Sequence, residues 1–155
     1  MIYGFQSGKM MGPCIISGIV SVPVQSGEIR REAMDDLETV ELKAFVPAKD
    51  FALSKQFYED LGFQIPWSSE DLAYLHHGNC TFLLQNFYEK QLAENFMMHL
   101  SVKSVDAWWA HVQKQKIAEK YNVQLTPPEQ RPCNMRDFVL IDPSGVLWRI
   151  SENTD

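Results

Sequence analysis

Cysteine is scarce and poorly placed for crosslinking. The chain has three, Cys14, Cys80 and Cys133, and none belongs to a CxxC pair. A disulfide framework or a zinc knuckle is therefore unsupported, and the thiols read as those of a reducing compartment, so a cytoplasmic location is expected. Basic residues are also in short supply: 14 Lys and Arg stand against 20 Asp and Glu, for a formal net charge of -6. Nucleic-acid binding needs the opposite balance, because backbone phosphates must be neutralised. The acidic surface suits neutral or cationic small ligands and leaves room for a local basic pocket. Long apolar runs are missing too. Met10 to Val24 is broken by Gly12, Pro13, Gly18 and Pro23, which makes it too short and too interrupted for a membrane span. With only Lys9 before it and no small-x-small cleavage site, it is also a poor secretion signal.

What remains is the composition of an ordinary globular domain, 45% hydrophobic and 22% charged over 155 residues. That length gives one domain with a real core, or two half-domains sharing one. Residues 1–37 differ from the rest, being rich in Gly, Ser and Pro before turning charged from Glu28 to Asp36. They read as an N-terminal extension with two alternatives. One is a leader, with Met34 as an alternative start; the other is an arm, with Cys14–Val22 adding a strand to a sheet edge or a partner subunit.

From Thr39 the pattern sharpens. Val40, Leu42, Ala44 and Val46 alternate with Glu41, Lys43 and Phe45, the two-residue period of a strand. Asp50 is set to cap a helix with Phe51, Leu53, Phe57 and Leu61 on its buried side, and Gly62 to end it in the left-handed conformation. Strands are predicted over Phe63–Trp67, Leu72–His76 and Cys80–Asn86. Residues 38–90 thus read β-α-β-β-β. Residues 95–155 repeat the order. A strand over Phe96–Lys103 puts Met98, Leu100 and Val102 on one face and Met97, His99 and Ser101 on the other. Ser104 caps a helix carrying Val105, Trp108, Trp109 and Val112. After the break at Pro127-Pro128, Phe138–Ile141 and Val146–Ile150 form a hairpin about Asp142-Pro143-Ser144-Gly145, a sequence with type I turn chemistry. A repeat at a spacing of roughly 54 residues points to duplication.

These residues carry a resemblance. Asp50-Phe51-Ala52-Leu53-Ser54-Lys55-Gln56-Phe57-Tyr58-Glu59-Asp60-Leu61-Gly62-Phe63 resembles the D-x-x-x-S-x-x-F-Y-x-x-L-G-F segment of the glyoxalase / bleomycin-resistance / extradiol-dioxygenase (vicinal oxygen chelate) superfamily. Met135 to Phe138 and Asp142 to Ile150 resemble its closing hairpin. The implied fold is α+β, with two βαβββ modules whose sheets curve into an open barrel around a cleft. The resemblance also implies where metal ligands sit in metal-dependent members: His or Gln in the first strand of each module and Glu in the last. Here those positions fall on Lys43, on Met97 or (in the alternative register) His99, on Phe82, and on Arg149. Lysine, arginine, methionine and phenylalanine do not hold Zn, Ni, Fe or Mn, so no metal and no cofactor are expected. Metal-free bleomycin-resistance-like relatives sequester a bulky drug without transforming it. Their closing P-W-G-M-R-x-F reads Pro132-Cys133-Asn134-Met135-Arg136-Asp137-Phe138 here, with Cys-Asn in place of Trp-Gly.

The reading that follows is a metal-independent small-molecule-binding protein, a homodimer taking an apolar or aromatic ligand. Its ligand-binding candidates are Lys43, Phe45, Tyr74, Phe82, Met97, His99 and Arg149. Lys43 and Arg149 act as a cation pair for a carboxylate or phosphate, or else pair with neighbours such as Glu41 and Glu152. His99 is the one catalytic candidate, as a hydrogen-bonding group or an acid/base; the alternative is a structural histidine. Phe45, Tyr74, Phe82 and Met97 line an apolar pocket or belong to the core. His76 and His77 point to opposite faces and so cannot share a site. One of Trp108 and Trp109 packs on the sheet and the other meets a partner. Cys133 is an inert thiol. The competing function is a glyoxalase-like lyase or isomerase with a relocated or absent metal site, and a third is a scaffold retained for interactions alone.

Overall fold

A computed structural model describes residues 38–132 and 134–154. The extension 1–37 and Cys133, on which expectations were placed above, lie outside the described residues. The first module runs β1 (Phe45–Pro47), α1 (Phe51–Leu61), β2 (Gln64–Ser68), β3 (Leu72–His77) and β4 (Cys80–Gln85). A short α2 (Lys90–Asn95) leads to β5 (Met97–Ser101), α3 (Val105–Lys114), α4 (Ile117–Tyr121), β6 (Glu129–Arg131), β7 (Met135–Ile141) and β8 (Leu147–Asn153). The strand orders are β1-β4-β3-β2 and β5-β8-β7-β6, so the two βαβββ modules build equivalent mixed sheets. The ladders keep the sheets separate, and no hydrogen-bonded closure makes them one barrel.

The helix signals act as their chemistry requires. Asp50 Oδ1 accepts from the Leu53 amide at 2.9 Å, and Ser104 Oγ from the Ala107 amide at 3.1 Å. Gly62 ends α1 at φ 111°, a left-handed value that favours glycine. The buried stripe of α1, however, is Ser54, Phe57, Tyr58 and Leu61, while Leu53 is exposed. These four follow the i, i+3, i+4, i+7 rule of one helix face. Two of them carry hydroxyls because the face meets a polar turn.

That turn is Asp142–Gly145. Asp142 Oδ1 accepts from the Ser144 and Val146 amides, both at 2.8 Å, and its Oδ2 accepts from the Tyr58 hydroxyl at 2.6 Å. Trp148 Nε1 donates to the Tyr58 oxygen at 3.1 Å. Ser54 Oγ lies 3.4 Å from Ser144 Oγ, which also accepts from the Lys49 amide at 3.0 Å. Burial raises the Asp142 carboxyl above its usual value, against the opposing pull of the Tyr58 and backbone hydrogen bonds. Burial first, and then Asp142 itself, push the Tyr58 hydroxyl well above its usual value, so it stays a donor. Around the polar centre, Tyr58, Phe63, Phe82 and Trp148 meet at ring separations from 5.0 to 6.1 Å.

A second link joins the end of α1 to the other module's helices. Asp60 pairs with Lys120 and accepts from the Tyr121 hydroxyl at 2.6 Å, and His111 Nε2 donates to the Asp60 carbonyl at 3.0 Å. Partial burial pushes the Asp60 carboxyl up, but the Lys120 and Tyr121 bonds outweigh it and hold the group below 3.8. Tyr121 is pushed up to about 12, by burial and then by Asp60.

The strand expected over residues 39–46 forms only from Phe45. In the parallel register Phe45 faces Leu83, and β4 begins at Cys80, so residues before Leu42 have no strand to pair with. Val40 is 97% exposed and Leu42 94%. The turn-rich stretches held more than the sequence showed: α2, α4 and β6 were not anticipated. Pro66 is accommodated because β2 is an edge strand with a register shift between Gln64 and Trp67.

Two outcomes test this account. Tyr58→Phe leaves a buried carboxylate oxygen and an indole N–H without partners, so urea unfolding should show a loss of about 2–4 kcal/mol; a loss under about 0.5 kcal/mol would show the link to be dispensable. Asp60→Asn should destabilise at neutral pH. Because the folded pKa lies below 3.8, that contribution is present above 3.8 and disappears as pH falls through the lowered value. Wild type and variant should therefore converge in acid; a constant gap across pH would rule out the carboxylate as the cause.

Candidate functional site

Each sheet has one face covered by helices and one left open. The covered faces carry Val46, Ala73, Leu75, Phe82 and Leu84 in the first module, and Leu100, Phe138, Leu140, Trp148 and Ile150 in the second, all buried. Helix α1 packs on β2 and β4, and α3 on β7 and β8. Strand alternation sends the intervening residues to the other side. The ladder registers give those open faces row by row.

On the first sheet, Phe45, Leu83, Tyr74 and Trp67 form one row from β1 to β2. Phe45 is 54% exposed and Trp67 53%. Beside them Thr81 faces His76. Glu41 pairs with Lys43 and accepts from the Thr81 hydroxyl, and the Lys43 ammonium sits 5.3 Å from the centre of the Tyr74 ring. The side-chain hydrogen bond from Lys43, then that from Thr81, lower the Glu41 carboxyl below its usual value. Phe82, on the opposite face, is core packed against Tyr58, Phe63 and Trp148.

On the second sheet, Met97 pairs with Leu147, Arg149 stands between His99 and Val139, and Ser151 stands between Ser101 and Asp137. Glu129 extends the last row and Arg131 lies two residues along β6, on the same side. The exposed apolar end of this face is Met97, and the buried polar end is Asp137. Arg131 Nε donates to Asp137 Oδ1 at 2.7 Å, and Arg149 Nε lies 3.2 Å from Asp137 Oδ2. Asp137 Oδ2 and Arg149 Nε are buried and lack a properly aligned hydrogen bond. Ser151 Oγ holds His99 Nε2 at 2.7 Å.

The structure therefore places Lys43, Phe45 and Tyr74 together on one open face, and Met97, His99 and Arg149 together on the other. Lys43 and Arg149 each have an acidic partner on their own sheet, Glu41 and Asp137. The Glu152 expected near Arg149 instead pairs with Arg136 and accepts from the Val105 amide. A cavity of about 370 Å3 between β4 and β5 brings His99 to Thr81 and Phe82, with Glu41, Met98 and Trp148 also in its wall. A larger hollow of about 580 Å3, between Lys49, Tyr88, Tyr121 and the Asp142–Gly145 turn, holds none of the predicted residues. Trp109 packs on Phe138 at 5.5 Å, and the half-buried Trp108 packs on His77 at 5.0 Å.

Sequence reasoning missed Asp137, Arg131, Ser151 and Trp67. Counting outward from the Asp142–Gly145 turn was the available signal for two of them. Opposed hairpin residues keep a constant index sum, which puts Asp137 opposite Ser151, one row from Arg149. Among the described residues, no three His, Cys, Asp or Glu side chains gather in a group that could hold a metal ion. With lysine and arginine at two of the implied ligand positions, the donor set does not fit a divalent cation.

The family described as the Glyoxalase/Bleomycin resistance protein/Dioxygenase superfamily matches residues 40–150. No curated protein matches the chain. Among solved structures, a bleomycin-binding protein complexed with bleomycin is 22% identical with a TM-score of 0.63, covering 74% of this chain and 99% of its own. TnmS3, an antibiotic binding protein from Streptomyces sp. CB03234, is 18% identical with a TM-score of 0.61, covering 76% and 99%. Lactoylglutathione lyase from Agrobacterium tumefaciens is 14% identical with a TM-score of 0.57, covering 75% and 95%. At these identities the likeness is one of fold. The paired modules and the matched span together establish that this chain belongs to the glyoxalase/bleomycin resistance protein/dioxygenase superfamily.

Proposed function

We propose that this chain is a metal-independent small-molecule-binding protein that sequesters an apolar or aromatic ligand over its open sheet faces, acting as a homodimer. The observation that carries the reading is the row Phe45, Leu83, Tyr74 and Trp67, whose two ends are more than half exposed. An aromatic row on an open sheet face offers a stacking surface to a flat ligand. The charges beside it, Glu41 and Lys43, satisfy one another. Two relatives in fold bind bleomycin or another antibiotic, which supports the same use here. The nearly bare Val40 and Leu42 supply apolar surface for a second copy to cover. No described helix is long and apolar enough to cross a membrane.

One observation favours a second reading, that of a lyase or isomerase. Ser151 fixes the His99 ring in the wall of the β4–β5 cavity, a suitable posture for an acid or base. Recovery of the bound compound separates the two readings, since a binder returns it unchanged and an enzyme does not.

Bleomycin and a panel of flat aromatic compounds, added at millimolar concentration, should include at least one that raises the melting temperature and quenches tryptophan emission. Mass spectrometry should return it intact. Trp67→Ala should weaken that binding by about tenfold or more, as loss of an aromatic anchor does. A panel without a single binder would contradict the proposal, and a chemically altered compound would move it to the enzyme reading.

A further inference from the structure

The second sheet's open face changes character along its strands. Met97 and Leu147 form an apolar row; His99, Arg149 and Val139 follow; then come Ser101, Ser151 and Asp137, with Arg131 beyond them. Arg149 thus stands at the boundary between an apolar surface and a polar one. Its guanidinium meets Asp137 at Nε, 3.2 Å from Oδ2. Among the described residues, its two terminal nitrogens have no hydrogen bond.

The charges on this face divide unevenly. Asp137 is fully buried and already accepts a well-formed bond from Arg131, which also pairs with Glu129 at 3.1 Å. Arg131 is therefore served twice by carboxylates. Arg149 has only the misaligned Oδ2 of the same aspartate, and both of those atoms are buried without a proper hydrogen bond. Asp137 at the Nε edge orients the guanidinium plane, and the outer edge, with its parallel N–H groups, has no hydrogen-bond partner among the described residues. That edge matches a planar two-oxygen anion. His99, paired with Arg149 across the ladder, has its Nε2 occupied by Ser151 and, among the described residues, no hydrogen bond at its Nδ1.

Building on the binding function proposed above, we infer that the ligand carries a carboxylate which Arg149 grips with its outer edge, while the apolar body lies along Met97 and Leu147. Asp137 is a positioning residue in this arrangement. The anion would give Arg149 the aligned partner that Asp137 does not.

Anthracene-2-carboxylate and its primary amide test the inference, because they share a flat body and differ only in the head. Titrations would follow tryptophan emission. Wild type should bind the carboxylate tighter than the amide by about ten- to a hundredfold, the range of a charge-assisted pair. Arg149→Met should erase that preference by weakening the carboxylate far more than the amide, and Arg149→Lys, which keeps the charge but not the fork, should restore part of it. Equal affinity for the two compounds, or a preference that survives Arg149→Met, would overturn the carboxylate assignment alone and leave the binding function standing. Absence of binding by both compounds, with other panel members also silent, would overturn the two together. Circular dichroism of both variants shows whether a loss reflects unfolding.

Discussion

The hydrogen bond from Tyr58 to Asp142 is the contact on which the rest of the arrangement depends. It joins helix α1 of one module to the closing turn of the other, where both partners are buried and neither can turn to water. A buried carboxylate without partners is expensive, so the Asp142–Gly145 turn must form for the bond to be made well. Once it forms, β7 and β8 are in register, Trp148 reaches the Tyr58 oxygen, and four aromatic rings close around the polar centre. The two sheets are thereby fixed relative to each other, each with its helices behind and its open face in front.

Much of this was legible, and for a physical reason. The two segments that carried the resemblance, Asp50–Phe63 and Asp142–Ile150, are the two that touch: Ser54 meets Ser144 and Tyr58 meets Asp142. Caps, turn residues and strand alternation are local devices, and a sequence displays them directly. Where a strand ends is not local. β4 supplies no partner for residues before Leu42, a fact belonging to the register and invisible in the alternation of Val40 to Val46. Leu53 was misplaced for a related reason. Its apolar character points inward, whereas the helix turns Ser54 and Tyr58 inward to satisfy the turn.

The candidate site was half legible. Met97, His99 and Arg149 do share one face, as a two-residue period demands, but nothing local marks the group that organises them, Asp137. Only the pairing of β7 with β8 and β6 brings it under Arg149 and Arg131 at once. Phe82 went to the core because its parity within β4 puts it behind the sheet. On both open faces most of the charge is answered from within the chain, Lys43 by Glu41 and Arg131 by Asp137 and Glu129. What is left over is apolar and aromatic surface with one partly answered arginine. Such a surface suits holding a molecule better than activating a metal-bound one.

The central claim, that this face works without a metal, is open to one direct measurement. The purified chain would be exposed in turn to Zn, Ni, Mn and Fe(II), exchanged into plain buffer, and assayed for bound metal by mass spectrometry. The account predicts less than about a tenth of an equivalent of each. Close to one equivalent of any of them, lost on His99→Ala, would contradict it and return the protein to metal-dependent chemistry.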